Sequence, residues 1–229
     1  MNAERKIPQC VGVIMDGNRR WAKAKGLPVF MGHSQGYENL KDFLKVAKKA
    51  GVKHVIAFAF SLENWKRSEE EVSFILGLMK KVLKDERETF LAEKTRMYFA
   101  GDLSLFPQDM QDEMRKLEEE SKGFSDMSLT LCVSYGGREE IVHATNKCIE
   151  KGITKITEKD ISENIYTFGV PDPDIIIRTS GEMRISGFLL WQSTYSELFF
   201  TKTLWPDFGE AEFLSILDEF SNRERRMGK

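Results

Sequence analysis

The amino-acid sequence predicts an α/β fold with a mostly parallel central sheet flanked by helices. Apolar runs alternate along the chain with amphipathic helical patterns, as in sheets built from strand–helix–strand units. Several runs are continuously apolar, which is typical of strands covered on both faces. Strands are predicted at 11–15, 54–60, 96–100, 129–134, 174–178 and 198–201, and helices at 34–50, 69–92, 108–121, 138–150, 159–166 and 210–226.

Length and composition predict one domain, at 1–229, with a sizeable core. The chain has 229 residues, of which 41% are hydrophobic and 31% are charged. Its 34 lysine and arginine residues nearly balance its 36 aspartate and glutamate residues, giving a formal net charge of -2. This balance argues against a protein that coats nucleic acid, because such binding depends on an excess of positive charge. Any anion site must therefore be local.

The sequence also indicates a reducing, intracellular setting. The N-terminal residues lack the apolar core of a signal peptide, and no later run approaches the ~18 apolar residues of a membrane span. We therefore expect a cytoplasmic protein. Cys10, Cys132 and Cys148 are far apart in sequence and form no Cys-x-x-Cys pair, so reduced thiols are expected rather than disulfides or zinc ligands.

The stretch at 11–21 combines a buried strand, a turn and the start of a helix. After the strand it reads Asp16, Gly17, Asn18, Arg19, Arg20 and Trp21. Such a junction points free N–H groups and the positive end of a helix at one spot, which suits a phosphate. Asp16 could hold a divalent cation, and Arg20 could clamp an anion. The alternative is an ordinary turn in which Asp16 or Asn18 only caps the helix.

Two further polar clusters follow predicted strands. Because ligands of α/β proteins bind beyond the carboxyl ends of parallel strands, both clusters are candidates for a site. The first, after 54–60, contains Ser61, Asn64, Trp65 and Arg67, although Trp65 could equally pin its loop to the core. The second, after 174–178, interleaves two arginines and three hydroxyls with glycines and predicts a second oxyanion site; it contains Arg178, Thr179, Ser180, Arg184 and Ser186.

The predicted helix at 69–92 carries an apolar stripe wider than one core face requires. Ser68 and Glu71 form a capping box, so the simplest role of Glu71 is to close the helix N-terminus. A wide stripe usually indicates deep burial. The alternative is that part of this face lines an apolar tunnel, with Gly77 allowing a bend.

Taken together, these clusters resemble the cis-prenyltransferases, in particular the undecaprenyl diphosphate synthase type. The match runs nearly end to end and follows the family's order. The segments are Met-Asp-Gly-Asn-Arg-Arg-Trp-Ala at 15–22, Gly-His at 32–33, Phe-Ser-Leu-Glu-Asn-Trp-Lys-Arg at 60–67, Tyr-Gly-Gly-Arg at 135–138, Ile-Arg-Thr-Ser-Gly-Glu-Met-Arg-Ile-Ser at 177–186, Phe-Leu-Leu-Trp-Gln at 188–192, Tyr-Ser-Glu-Leu-Phe-Phe at 195–200, Leu-Trp-Pro-Asp-Phe at 204–208 and Asn-Arg-Glu-Arg-Arg-Met-Gly at 222–228.

The resemblance implies an activity and its setting. It implies condensation of isopentenyl diphosphate with an allylic diphosphate, such as farnesyl diphosphate, to give a cis-polyprenyl diphosphate. Undecaprenyl diphosphate, a lipid carrier precursor for cell-wall synthesis, is one such product. The resemblance further implies Mg²⁺, a homodimer, an apolar tunnel for the growing chain, and delivery of the product to a membrane that the protein contacts peripherally.

The resemblance also assigns roles to residues. Asp16 and Asn64 are the implied catalytic residues, and Mg²⁺ is implied at Asp16 with Glu197, which is reached across the homodimer. Substrates are implied to contact Gly17, Asn18, Arg19, Arg20, Trp21, His33, Ser61, Arg67, Arg178, Arg184 and Ser186. Within that set, Gly17, Asn18, Arg20 and His33 hold the allylic diphosphate with Asp16, whereas Arg178, Arg184 and Ser186 hold isopentenyl diphosphate.

Four positions depart from the family's usual pattern. Position 19 is Arg where many bacterial members carry Gly, and position 29 is Val where the family usually places a diphosphate-binding Arg; positions 180 and 187 are Ser and Gly where Gly and Asn are common. Arg19 is the nearest replacement for the missing cation. Adjacent helical residues point about 100° apart, so Arg19 and Arg20 are expected to share one diphosphate only if Arg19 lies in the turn. The alternative is a solvated Arg19.

Two other functional interpretations remain open at this stage. The first is a non-catalytic partner subunit of a heteromeric cis-prenyltransferase, which would keep the fold and lose the site. The second is a generic phosphate-ligand enzyme on a nucleotide-binding fold. The second is less favoured because the chain contains neither a Gly-x-Gly-x-x-Gly run nor a P-loop.

Overall fold

A six-stranded, fully parallel sheet with the strand order β3-β4-β2-β1-β5-β6 forms the centre of the molecule. The computed structural model describes residues 6–223. Each predicted strand is confirmed, with ends within two residues of the prediction. The strands are β1 (Cys10–Ile14), β2 (His54–Ser61), β3 (Thr95–Ala100), β4 (Met127–Tyr135), β5 (Ile175–Arg178) and β6 (Glu197–Phe200).

The helices largely follow the prediction, with four differences. The helix predicted at 159–166 is shorter and ends at Ser162. The predicted helix at 69–92 is two helices that meet at Glu86, so the interruption does not fall at Gly77. The helix predicted at 34–50 begins earlier, at Val29, with Pro28 as its N-cap residue. Positions 224–226 of the last predicted helix lie outside the described residues. The helices are α1 (Asn18–Ala24), α2 (Val29–Lys49), α3 (Glu69–Asp85), α4 (Arg87–Ala92), α5 (Gln108–Glu120), α6 (Gly137–Glu150), α7 (Glu158–Ser162) and α8 (Glu210–Asn222).

Both faces of the sheet are buried. In β1, Val11 and Val13 join a large core formed with α2, α3, α5 and α8, whereas Cys10 and Ile14 join a smaller core on the other face. Phe188, from the segment that follows β5, is part of that smaller core. This arrangement explains why the strand sequences are continuously apolar rather than alternating.

The strand order fixes the position of the candidate site. β1 pairs with β2 on one side and with β5 on the other. The chain leaves β1 towards β2 but leaves β5 towards β6, and neighbouring strands with diverging connections open a crevice at their carboxyl ends. Ile14 is in register with both Phe58 and Arg178, so the loops after β1, β2 and β5 converge at this crevice.

An apolar cavity of about 320 Å³ lies between the sheet and helices α2, α3 and α5. Ile75, Leu78 and Val82 of α3 line this cavity, and Ile75 and Val82 are themselves buried. Gly77 is exposed, and a Cβ atom added there would meet no atom within 4 Å. The wide stripe of α3 therefore serves both core and cavity. None of the helices in the described part of the chain is long and apolar enough to cross a membrane.

Candidate active site

Asp16 connects the loops that follow β1 and β5. Its Oδ2 atom accepts a hydrogen bond from Arg178 Nη2 at 2.8 Å, and its Oδ1 atom accepts one from Arg20 Nη2 at 3.3 Å. Burial raises the pKa of Asp16, but hydrogen bonds and charge from Arg178, with help from Ser180 and Arg20, outweigh it. The pKa therefore lies below its ordinary value, and the carboxylate is ionised at neutral pH. Helix α1 has no side-chain cap, so Asp16 is not a capping residue.

Arg178 organises the loop after β5. Its side chain is buried, and Nη1 donates to the carbonyl oxygen of Arg184 at 2.6 Å and to Ser186 Oγ at 2.8 Å. Arg184 extends outward and pairs with Glu182 at 2.5 Å; Glu182 in turn lies 3.4 Å from Arg20. The predicted oxyanion cluster is therefore assembled, with Arg178 inside it and Arg184 at its surface.

Ser180 joins this loop to α1. Arg20 Nη2 donates to Ser180 Oγ at 2.5 Å, and Arg20 Nη1 donates to the Ser180 carbonyl oxygen at 3.0 Å. Ser180 and Ser186 both have positive φ angles, of 80° and 49°. Such angles are unfavourable for residues with a Cβ atom, so the tertiary contacts must hold this loop in place.

Glu71 is a residue of the site that the sequence did not assign to it. Its N–H donates to Ser68 Oγ at 3.4 Å, as a capping box requires. Its carboxylate instead accepts from Arg67 Nη1 at 2.8 Å and lies 3.2 Å from His33 Nε2. Of the two hydrogen bonds of a capping box, only the one from the Glu71 N–H to Ser68 forms. The sequence feature that could have predicted this contact is the spacing of Arg67 and Glu71, which are four residues apart at the start of a helix.

His33 is held mainly neutral at pH 7 by its surroundings. Burial lowers its pKa, and the positive charges of Arg67 and Arg19 lower it further, which outweighs the opposing effect of Glu71. The neutral ring has one N–H to donate, and its tautomer decides which nitrogen carries it.

From the sequence, Arg19 and Arg20 were expected to share one diphosphate only if Arg19 lay in the turn. Arg19 instead lies within helix α1. It nevertheless lines the same cleft as Arg20. The two side chains reach in different directions: Arg20 contacts Ser180, whereas Arg19 Nη1 lies 3.9 Å from Glu71.

Asn18 fits closely against α2. Its backbone oxygen would lie 2.1 Å from a Cβ atom added to Gly32, and its Oδ1 atom would lie 2.4 Å from one added to Gly36. Both positions therefore require glycine for α1 to pack on α2. Asn18 Oδ1 is buried and has no hydrogen-bond partner within the described residues, and Asn18 lines both the cleft and the apolar cavity.

The loop after β2 contributes Ser61 and Asn64 to the apolar cavity. The Ser61 N–H donates to Asn64 Oδ1 at 3.1 Å. Trp65 Nε1 donates to Ser134 Oγ at 2.9 Å, and its ring packs edge-on against Phe60, so Trp65 pins the loop. Trp21 is similarly structural: it is buried, lines neither the cleft nor the cavity, and donates to Asp207 Oδ1 at 2.8 Å.

The cleft and the apolar cavity share a rim. The cleft has a volume of about 800 Å³ and is lined by the cations Arg19, Arg20, Lys23 and Arg67, together with Gly17 and His33. Asp16, Asn18, His33 and Arg67 line both spaces, and Arg178 and Ser186 line the cavity. Positive side chains therefore meet an apolar interior at one place, where an anionic head group and an apolar tail can be held together.

Glu197 lies away from this rim. It begins β6 in register with Ile175, whereas Asp16 follows the carboxyl end of β1. Three residues of strand place these two edges of the sheet roughly 10 Å apart. Glu197 instead accepts a hydrogen bond from Arg223 Nη1 at 2.7 Å. Within residues 6–223 no three histidine, cysteine or acidic side chains group as metal ligands. Because Asp16 and Glu197 lie at opposite edges of the sheet, they do not share a metal ion within one chain.

The fold and site together define an α/β protein that holds anionic groups beside an apolar cavity. A family model for undecaprenyl diphosphate synthase matches residues 14–228. The chain belongs to this family, and it is a prenyltransferase.

Individual relatives cover nearly the whole chain. Isoprenyl transferases of Fusobacterium nucleatum and Thermotoga maritima are each 45% identical to it, over 98% and 97% of this chain and 97% of each relative. The crystal structure of lavandulyl diphosphate synthase from Lavandula x intermedia, in complex with dimethylallyl diphosphate, has a TM-score of 0.91 and 36% identity over 97% of this chain and 99% of that one. A probable undecaprenyl diphosphate synthase from Campylobacter jejuni has a TM-score of 0.83 and 33% identity over 98% and 100% of the two chains.

Proposed function

We propose that the protein condenses isopentenyl diphosphate with an allylic diphosphate, with farnesyl diphosphate as the starter, and forms a long cis-polyprenyl diphosphate such as undecaprenyl diphosphate. The observation that carries this proposal is the shared rim of the cationic cleft and the apolar cavity. An allylic diphosphate has both parts: a diphosphate for the cleft and an isoprenoid tail for the cavity. Membership of the family supports the same substrates.

The cleft supplies what ionisation of the allylic diphosphate requires. Carbon–oxygen cleavage leaves negative charge on the departing diphosphate, and groups that are already oriented stabilise that charge best. Arg20 and Arg67 line the cleft, and the first N–H groups of α1 begin at Asn18 beside it. His33 is mainly neutral and contributes as a hydrogen-bond partner rather than as a charge.

The loop after β5 supplies the second diphosphate site. Arg178 and Ser186 line the cavity on the side of Asp16, and Arg184 lies at the outer edge of the same loop. Two arginines and a hydroxyl can orient isopentenyl diphosphate so that its double bond faces the allylic carbon. Fixed orientation of two reactants lowers the barrier by removing most of the entropy cost of their encounter.

The residues at the rim fit a bound Mg²⁺. Asp16 offers an ionised, partly exposed carboxylate, and Asn18 offers a buried amide oxygen without a partner among the described residues. Oxygen donors of this kind suit Mg²⁺, which also binds the oxygens of substrate phosphates. When bound there, the ion would neutralise charge on the leaving diphosphate. Glu197 would complete the site only from the second subunit of the proposed homodimer.

The proposed product sets the biological context. A long polyprenyl chain is insoluble in water, and the apolar cavity behind Asp16 can receive its first units. We assign the protein to the cytoplasm, with peripheral contact to the membrane that takes up the product as a precursor of the cell-wall lipid carrier. The presence of both cation clusters supports a catalyst rather than the alternative, a non-catalytic partner subunit.

The test is direct. Purified protein is incubated with labelled isopentenyl diphosphate, Mg²⁺ and either farnesyl or dimethylallyl diphosphate, and the products are sized. We expect long products from farnesyl diphosphate, and none when Asp16→Asn removes the charge but keeps a group that can accept from Arg178. A folded protein that elongates no allylic starter would refute catalysis and favour the partner-subunit interpretation.

A further inference from the structure

The segment from Gly17 to Tyr37 has an unusual composition for a surface. It contains Arg19, Arg20, Lys23 and Lys25 but no aspartate or glutamate. Arg19, Lys23 and Lys25 are exposed. Arg20 pairs with Asp16 and Glu182, and Arg19 lies 3.9 Å from Glu71. Lys23 and Lys25 form no ion pair among the described residues, so their charges remain available at this surface.

The same segment exposes large apolar side chains. Leu27, Val29, Phe30 and Met31 are 38%, 36%, 44% and 43% exposed. Val29, Phe30 and Met31 form the first turn of α2, where successive side chains point about 100° apart. All three side chains are therefore partly open to solvent on one surface region. We call Leu27–Met31 the apolar turn.

The apolar turn borders the opening of the cleft. Leu27 and Val29 line the cleft, and the ring of Phe30 packs against Phe74 of α3 with centroids 5.3 Å apart. The opening thus has an apolar edge beside the basic helix α1. An apolar wedge flanked by lysine and arginine is the composition of segments that lie in the interface of an anionic bilayer.

We propose that the apolar turn, together with Lys23 and Lys25, docks the protein on an anionic lipid surface, with Phe30 and Met31 inserted among the lipids. This proposal rests on the proposed function, because it places the exit of a lipid product against the bilayer. The charges favour a bilayer over a second copy of this chain. A two-fold symmetric contact would bring Lys23 and Lys25 of one copy against those of the other, whereas anionic lipid neutralises them.

The first experiment measures co-sedimentation with vesicles of phosphatidylglycerol and phosphatidylcholine in equal parts. We expect the protein to bind, and the double variant Phe30→Ser/Met31→Ser to bind at least tenfold more weakly. The matched control is Val142→Ser/Phe168→Ser, which removes two apolar side chains that are 58% and 62% exposed elsewhere; it should bind as the parent does. Binding should also weaken on pure phosphatidylcholine and at high salt.

A second measurement detects insertion into the bilayer directly, rather than through the loss of binding when side chains are removed. Cys10, Cys132 and Cys148 are all buried, so a cysteine introduced by Met31→Cys can be labelled selectively with a polarity-sensitive fluorophore. Its emission should shift to the blue on addition of the anionic vesicles, and a label at Phe168→Cys should not shift.

The outcomes separate this proposal from the proposed function, because vesicle binding requires no turnover. Failure of the parent protein to bind, equal loss in the control variant, or a label at position 31 that does not respond would each overturn the docking surface. A dimer that dissociates only in the Phe30→Ser/Met31→Ser variant, without vesicle binding by the parent, would identify a contact between copies instead. Vesicle binding by a protein without transferase activity would leave the surface standing and refute the function.

Discussion

At the scale of single residues, the cations of the candidate site are held by carboxylates of the same chain. Each carboxylate pairs with cations from more than one element, so the cations are oriented before any substrate arrives. An incoming diphosphate must replace these carboxylates rather than order free side chains, which lowers the entropy cost of binding. The groups are Asp16 with Arg20 and Arg178, Glu182 with Arg20 and Arg184, and Glu71 with Arg67 and Arg19. Glu71 also contacts the neutral ring of His33.

Arg19 provides the first test of this arrangement. Arg19 lines the same cleft as Arg20 and Val29. Loss of one cation should cost about 1.5–3 kcal/mol of diphosphate binding. Arg19→Ala should therefore raise the KM for farnesyl diphosphate roughly 10- to 150-fold and leave that for isopentenyl diphosphate nearly unchanged. Steady-state kinetics measure both constants.

Two further variants complete the Arg19 experiment. Adding Val29→Arg to Arg19→Ala should restore much of the lost affinity, because it returns a cation to the cleft. Lys25→Ala is the control, since Lys25 follows the same helix but does not line the cleft. An unchanged KM in Arg19→Ala would exclude this residue and point to Lys23.

Variants of Ser180 can separate the effect of backbone strain on stability from the effect of the hydroxyl on substrate binding. It has a φ angle of 80° and is 7% exposed, and its hydroxyl accepts from Arg20. Ser180→Gly and Ser180→Ala both remove the hydroxyl, but only glycine relieves the strain, which is worth about 1 kcal/mol. We expect the glycine variant to be more stable than the alanine variant in chemical denaturation, while both raise the KM for the allylic substrate alike. Wild-type kinetics in Ser180→Gly would show that the hydroxyl is dispensable.

At the scale of elements, helix α3 allows a test of whether the apolar cavity stores the proposed product. Leu78 lines the apolar cavity, whereas Gly77 is exposed and does not line it. Leu78→Trp should fill the cavity and shorten the products without preventing the first condensations. Gly77→Ala is the control: it should add about 0.5–1 kcal/mol to the free energy of unfolding and leave product length unchanged. If product length is unchanged in Leu78→Trp, this face of α3 has only a structural role.

Helix α6 contains a buried acid that should make stability depend on pH. Glu140 accepts hydrogen bonds from Tyr135 at 2.5 Å, Gln192 at 2.9 Å and the Tyr166 N–H at 3.1 Å. Burial nevertheless raises the pKa of Glu140, because it outweighs these contacts. The folded state then holds this proton more tightly than the unfolded state. The resulting stabilisation is complete below the ordinary glutamate pKa and is lost as pH rises through the raised value.

The test compares Glu140→Gln with the parent in urea denaturation between pH ~5 and pH ~8.5. Glutamine has nothing to ionise, so the free energy of unfolding of the variant relative to the parent should increase with pH. Other titrating groups are common to both proteins and cancel in this difference. A difference that is constant across the range would mean that Glu140 is ionised in the folded state throughout.

At the scale of the whole molecule, Glu197 lies too far from Asp16 to share a site with it within one chain. Glu197 and Asp16 lie at opposite ends of the strands, and β6 is an edge strand of the sheet. If Glu197 serves a site, that site belongs to a partner. Mixing inactive Asp16→Ala chains with inactive Glu197→Ala chains should give dimers with one intact site, so part of the activity should return.

The controls address stability and exchange. Glu197→Ala also breaks the ion pair with Arg223, so Arg223→Ala is assayed in parallel. If Arg223→Ala loses as much activity as Glu197→Ala, the role of Glu197 is to position its own chain. If the mixture remains inactive after subunit exchange has been verified, action across the dimer is wrong.

Local patterns in the sequence were sufficient for the strands and for the edge at which the site forms. Continuous apolar runs require burial on both faces, and parallel strands bring the residues that follow them to one edge. Asp16, Asn64 and Arg178 could therefore be placed near one another from sequence alone. Arg19 could not, because the direction of a side chain at a helix start depends on what packs beside it.

Only the tertiary structure decided which partner each polar group takes. Glu71 has the spacing of a capping residue, yet its carboxylate turns to Arg67 and His33 because α2 packs beside the start of α3. Trp21 follows the Asp-Gly-Asn turn but faces Asp207, 186 positions away. Propensity and periodicity act over a few residues and specify helices and strands. Contacts between distant residues depend on strand order and helix packing, which the complete chain determines by burying its apolar surface.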